Sequence, residues 1–366
     1  MPECKLSRPL RNRLPELDSQ RLSASCLVRP LTVSLSGLRR IVQGARMSFL
    51  VDSRAVALPV IALILGLGMA HPASAAECQP LLEDFNRAVD AGLDDEAQAL
   101  VDKIAMSVEC GRFQIPAQRR LAALRLNAAQ ILMARGRPAI DYDRLLRAAE
   151  AREVLWQASG TLAEVRFGER RFAEAAQAYD RAIEIIKNET LTPTVPSRFE
   201  IEGLVERAAQ ARLLAANGLA SDGSSRFVQA AKDQRDGSVG GFYSRSVRGI
   251  LPRAIPVPIT FEYRKANLTR VGEEAARELV EVLKQQHPSR LVLVGHTDVR
   301  GTAEFNMKLS RERAETIAAF VRQNGLEVAV ETVGKGANEP MRVSDTSGLS
   351  QEDIYALNRR VEWQRQ

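Results

Sequence analysis

Hydrophobic spacing changes character along the chain. From Ala55 to Ala70 the sequence reads AVALPVIALILGLGMA, a nearly unbroken apolar run. Over 79–218 apolar positions recur at steps of three and four among Ala, Leu, Arg and Glu, which predicts an all-helical domain. Its clearest stretch is Leu162, Phe167, Phe172, Ala175, Tyr179, Ala182 and Ile185. The small Ala175 and Ala182 let a neighbouring helix approach, while Phe172 and Tyr179 fill the groove between them. Beyond residue 253 the period alternates. Val257, Ile259 and Phe261 read as a strand, and Leu268, Val271, Ala275, Leu279, Val282 and Leu283 as one face of a helix. Leu291 to Val294 is a buried strand, followed by a helix from Ser310 to Asn324-Gly325, a strand over 328–333 and a last strand over 359–364. This β-α-β-α-β-β order predicts an α/β sandwich with helices on one face. The fold class is therefore multidomain, all-α followed by α/β.

The apolar run is shorter than the roughly 20 residues that cross a bilayer, carries Pro59, and ends in the small-residue site Ala73-Ser74-Ala75. We read 47–75 as a signal peptide cleaved after Ala75. Residues 1–46, ahead of Met47, are a leader extension or untranslated. An uncleaved anchor is the alternative. Gly and Ser crowd 219–252 and predict a linker between a helical domain at 76–218 and a second domain at 253–366.

Charge changes little in this picture once it is located. The chain carries a net +6, and residues 1–46 hold nine bases against three acids. The segment 76–366 is neutral, so no basic stripe points to nucleic acid. The globular composition excludes disorder and collagen. Cys78 and Cys110 are the cysteines of the exported chain. An oxidising compartment favours their pairing, with a stabilisation of about 3–4 kcal/mol in the chain-entropy account. A lipid-modified Cys78 is disfavoured because Glu77 stands where a lipobox needs a small residue. His287 and His296 form no cluster with metal-ligand spacing, and neither a cofactor motif nor a phosphate-cradling glycine loop is present.

Candidate chemistry lies between the second strand and the second helix. Gly295-His296-Thr297-Asp298-Val299-Arg300-Gly301 is followed by Asn306, Leu309, Ser310, Arg313 and Ala314, then by Gly334, Gly336, Pro340 and Asn358-Arg359-Arg360-Val361-Glu362. With Ser310 as an N-cap, Arg313 sits in the first helical turn, where a cation costs about 0.3–1 kcal/mol against the helix dipole. Such a breach of local preference points to an anionic ligand. Arg313 suits a carboxylate and Asp298 an ammonium, and the two together describe an amino-acid zwitterion. A solvated Asp298–Arg313 ion pair is the plain alternative.

The motif GHTD-x-x-G-x-x-x-x-N-x-x-LS-x-x-RA with the closing NRRVE resembles the OmpA-like peptidoglycan-binding domain over about 253–366. The resemblance implies non-covalent binding of the diaminopimelate-containing stem peptide. It makes Asp298 and Arg313 the contacting pair and Thr297, Asn306 and Arg359 the flanking polar positions. The stretch 159–188 resembles one tetratricopeptide helix pair, although Trp156 is out of register. A weaker echo at Phe227 and Ala230 does not keep the repeat of about 34 residues. The expected protein is a periplasmic adaptor, without catalytic residues, metal or cofactor, that grips peptidoglycan and contacts an envelope protein through its helices. The rivals are a membrane-anchored stator-like protein and a wall hydrolase using His296 and Asp298.

Overall fold

The computed structural model describes residues 72–366 except 251, 344 and 366. The leader 1–46 and the apolar run 55–70 lie outside the described residues, as does nearly all of the expected signal peptide. Among the described residues no helix is long and apolar enough to cross a membrane.

Helices α1 (Pro72–Asp90), α2 (Asp94–Met106) and α3 (Gln114–Ala134) close around Phe85, Leu100, Val101, Ile104 and Leu121. Cys78 on α1 and Cys110, just before a short 3-10 turn, form the expected disulfide, with Cα atoms 5.5 Å apart. After α4 (Ala139–Glu150) come α5 (Trp156–Gly168) and α6 (Phe172–Lys187), the pair with the clearest spacing. Ala175 and Ala182 are buried beside Phe172 and Tyr179, Phe167 meets Phe172 edge-on at 5.1 Å, and Tyr179 donates to Glu164 at 2.7 Å. Helix α7 (Arg198–Ala216) starts at a reciprocal cap, in which Ser197 Oγ accepts from Glu200 N and the Glu200 carboxylate accepts from Ser197 N.

The segment expected as a flexible linker, 219–252, is irregular but packed. Val228, Ala230, Phe242, Tyr243 and Val247 are buried in the hydrophobic cluster that also holds α5–α7 and the carboxy-terminal sheet. Its backbone is drawn onto α6. The Asp180 carboxylate accepts from the amides of Ala231 (2.9 Å) and Phe242 (3.1 Å), and Glu184 accepts from Gly241 (2.7 Å). A Cβ at Gly241 would overlap the Asp180 carboxylate, and the residue holds φ +57°. This glycine permits close approach to a buried charge, so glycine content here marks docking and not freedom.

The carboxy-terminal elements are β1 (Ala254–Val257), α8 (Arg270–Gln286), β2 (Arg290–Gly295), α9 (Ala303–Gln323), β3 (Ala329–Gly334), α10 (Gln351–Asn358) and β4 (Val361–Gln364). The sheet order is β1-β4-β2-β3, with β4 antiparallel to both neighbours and β2 parallel to β3. Leu279, Val282 and Leu283 of α8 and Ile317, Ala318 and Val321 of α9 share one core with Leu291, Leu293, Val361 and Trp363 of the sheet. Three features differ from the expectation. The first strand is Ala254–Val257, ahead of the Val257, Ile259 and Phe261 alternation, and Phe261 makes only an isolated bridge to Leu268. Helix α10 interrupts what reads as a long loop, and its capping box of Ser350 and Asp353 is the one local signal for it. Helix α9 begins seven residues before Ser310, at a Thr302 cap whose hydroxyl accepts from Phe305 N at 3.2 Å. Ser310 is thus an interior residue. Its smallness and its hydroxyl serve packing, since Ser310 Oγ donates to Met307 O and accepts from Gly336 N, each at 2.9 Å.

Candidate ligand-binding site

The turn from β2 into α9 places Asp298 beside the end of α10. Asn306, one turn into α9, donates to the Asp298 carbonyl at 3.3 Å and fixes that turn. The amide of Arg300 bonds Asp298 Oδ1 at 3.0 Å, and Arg300 Nη2 reaches Oδ2 at 2.6 Å. Arg359, the C-cap of α10, reaches the same oxygen at 3.0 Å and Glu352 at 2.9 Å. Glu352 also meets Arg300 at 3.3 Å, and Arg300 stacks on Tyr355 at 4.6 Å. Burial pushes the Asp298 carboxyl up, but the bonds from Arg300 and Arg359 outweigh it and hold the group below the ordinary carboxylate range.

Arg313 lies in the third turn of α9, away from the helix start, so the dipole argument for an anion there does not apply. A stronger argument replaces it. The side chain is 4% exposed and packs over the Phe261 ring at 5.0 Å, with Nε donating to the Lys265 carbonyl at 3.1 Å. No carboxylate among the described residues lies within ion-pair distance of it. Burial, reinforced by the neighbouring Arg359 charge and only partly countered by Asp298, lowers its pKa to about 10. A buried guanidinium without a carboxylate at ion-pair distance is costly, and an incoming carboxylate relieves that cost. The site holds three guanidiniums, Arg300, Arg313 and Arg359, against two carboxylates, Asp298 and Glu352. Its positive excess favours an anion.

Asp298, Asn306 and Arg359 are therefore brought together by direct bonds, with Arg313 alongside. Thr297 is held differently. Its amide donates to the Gly336 carbonyl at 2.9 Å, and its hydroxyl is buried without a hydrogen-bond partner. Sequence reasoning missed Arg300, Glu352 and Phe261. Arg300 stood inside the motif at a variable position, whereas Glu352 lies far along the chain on an unforeseen helix. His296, the hydrolase candidate beside Asp298, is buried 3.6 Å from Glu362, and Ser310 is engaged by Met307 and Gly336. Burial opposes ionisation of Glu362, but His296 and Arg360 bring its pKa down to about 2. Two clefts of about 60 Å³, one at α6 beside 231–234 and one between α6 and 220–226, contain neither Asp298 nor Arg313.

Residues 260–352 match the OmpA family. The peptidoglycan-associated lipoprotein of Pseudomonas aeruginosa is 34% identical over 154 residues, covering 40% of this chain and 86% of that protein. Photosystem I P700 chlorophyll a apoprotein A2 of Gloeobacter violaceus is 30% identical over 145 residues, covering 38% of this chain and 16% of that protein. The chain spans only 16% to 56% of the length of several curated relatives it matches. Among solved structures, the peptidoglycan-associated lipoprotein from Burkholderia pseudomallei aligns at 23% identity and a TM-score of 0.26, covering 31% of this chain and 91% of that one.

Proposed function

Because this chain belongs to the OmpA family, we propose that residues 253–366 bind peptidoglycan non-covalently, through the free zwitterionic end of diaminopimelate in the stem peptide. The observation that carries this reading is Arg313, buried over Phe261 and lacking a carboxylate within ion-pair distance among the described residues. The ligand carboxylate docks on the Arg313 fork, whose planar donors match it bidentately. Its ammonium docks on Asp298, sharing that carboxylate with Arg359 and displacing Arg300 toward Glu352. Thr297 and Asn306 shape the turn. Recognition of a zwitterion needs no net charge on the protein, which fits the neutral balance of 76–366. Binding is the whole activity, with no bond made or broken. In this reading the protein is exported to the periplasm, and the helices of 76–218, the α5–α6 pair being tetratricopeptide-like, contact an envelope protein.

The test is co-sedimentation of the exported chain with purified sacculi. We expect binding that free diaminopimelate competes away, and losses of tenfold or more for both Asp298→Ala and Arg313→Ala, as expected when one partner of a charge-assisted contact is removed. Retention unchanged in both variants overturns the site. Soluble muropeptides appearing during incubation overturn binding without turnover.

A further inference from the structure

Arg170 occupies the tight turn between α5 and α6 at φ +59°, a conformation that residues with a side chain rarely adopt. Its guanidinium reaches out of the helical region to α10. Nη1 and Nη2 donate to the two carboxylate oxygens of Asp353 at 2.7 and 2.8 Å, and Nη2 also donates to the Leu219 carbonyl at 2.8 Å. Asp353 is 0% exposed and already accepts from the Ser350 amide and hydroxyl as part of the α10 cap. One carboxylate thus closes the start of α10 and ties that helix to the α5–α6 turn. The adjoining residue, Glu352, holds Arg359 and Arg300; Tyr355 carries the Arg300 stack; and the helix ends at Arg359, whose amide donates to the Tyr355 carbonyl at 3.0 Å. Arg359, which reaches Asp298, is therefore less than two turns from the Arg170 fork, and Glu352 and Tyr355, which hold its neighbours, are within one turn of it. A helix of eight residues has little stability of its own.

We propose that Arg170 is a positioning residue of the Asp298 site, fixing α10 through Asp353 so that Arg359 meets the ligand-binding carboxylate, and Glu352 holds Arg359 and Arg300, in one geometry. The helical region is then a structural part of the wall-binding site, not a separate module on a tether. This rests on the ligand reading above for its binding consequence. By linkage, a ligand at Asp298 also stiffens the α5–α6 turn.

The experiment uses the full exported chain with Arg170→Ala, Arg170→Lys, Glu352→Gln and the Arg170→Ala/Glu352→Gln double variant. Sacculus affinity and free diaminopimelate competition are measured alongside amide exchange. We expect Arg170→Ala to lower affinity about tenfold and to speed exchange across 354–359, with Arg170→Lys recovering most of both. Glu352→Gln leaves the Arg170–Asp353 pair in place and weakens binding by itself, and the double variant falls short of the product of the two losses. Multiplicative losses overturn the inference, as does Arg170→Ala with unchanged exchange over 354–359. Unchanged affinity in Arg170→Ala overturns it if Asp298→Ala still abolishes binding. Faster exchange in Arg170→Ala with binding insensitive to Asp298→Ala sinks the ligand reading alone and leaves the positioning of α10 standing.

Discussion

Two buried charge clusters in this molecule are built on opposite terms. At the junction of α6, α7 and 219–252, Arg212 is 1% exposed and paired with the equally buried Asp180, stacking on Phe242 at 4.3 Å. Lys187 meets Glu184 at 3.0 Å and Asp233 at 2.6 Å, and the remaining Asp180 and Glu184 lone pairs take backbone amides of the packed segment. Cation and anion close on each other there. In the Asp298 site, Arg313 is buried almost as deeply but has no such carboxylate among the described residues. Burial alone does not mark a binding residue, since the junction is the more buried of the two. What separates them is whether the chain supplies the counter-charge.

The largest expected effect breaks the comparison at its closed end. Arg212→Ala leaves Asp180 buried without its ion and is expected to destabilise the protein by about 3–5 kcal/mol. Arg313→Met keeps an apolar stem but removes the guanidinium that lies over Phe261, together with a charge that has no carboxylate within ion-pair distance among the described residues. Its expected change in stability is within about 1 kcal/mol of zero, with either sign allowed. Urea unfolding at neutral pH measures both, and sacculus co-sedimentation is run on the same samples. Arg313→Met should lose binding at full stability, while the folded fraction of Arg212→Ala should still bind. Equal destabilisation by the two substitutions would show that Arg313 is architectural.

Sequence alone reaches the two ends of this contrast unevenly. The α5–α6 pair, the disulfide, the last three strands and the meeting of Asn306 and Arg359 at Asp298 follow from periodicity, cysteine content and the motif, because each signal is local or fixed in spacing. The helix-start argument for Arg313 does not hold, as Thr302 and not Ser310 caps α9. Both are good capping residues, and only the packing of Ser310 under Gly336 decides between them. Glu352 and Arg170 are held by partners far along the chain, so no window of sequence contains their environment. The segment 219–252 misleads for a related reason: its glycines look like freedom, but Gly241 is small so that Asp180 can reach the backbone. Composition records the missing side chain and not what fills the space.

A smaller effect sharpens the closed end, where Glu278, the Tyr243 hydroxyl and Arg212 Nε are left incompletely hydrogen-bonded. Glu278 of α8 accepts from the Ala230 amide at 2.8 Å through Oε1, while its other oxygen and the Tyr243 hydroxyl are buried without hydrogen-bond partners. Burial raises its pKa from the ordinary 4.5 to about 7, against the pull of the Ala230 amide and Arg212 and with the nearby Asp180 adding to the rise. The folded protein therefore holds a proton that the unfolded chain releases near its ordinary pKa. Below that value both states are protonated and the group has no effect. Stability then falls as pH rises through the window up to about 7, by about 3 kcal/mol in all, and levels off above it. Glu278→Gln should flatten this slope and make the protein more stable than the unsubstituted chain at pH 8. Sacculus binding should be unchanged at both ends of the range, since Glu278 makes no contact with the Asp298 site. Urea midpoints at pH 5 and pH 8 for the two proteins check it. A slope that survives in Glu278→Gln would place the titration in another group.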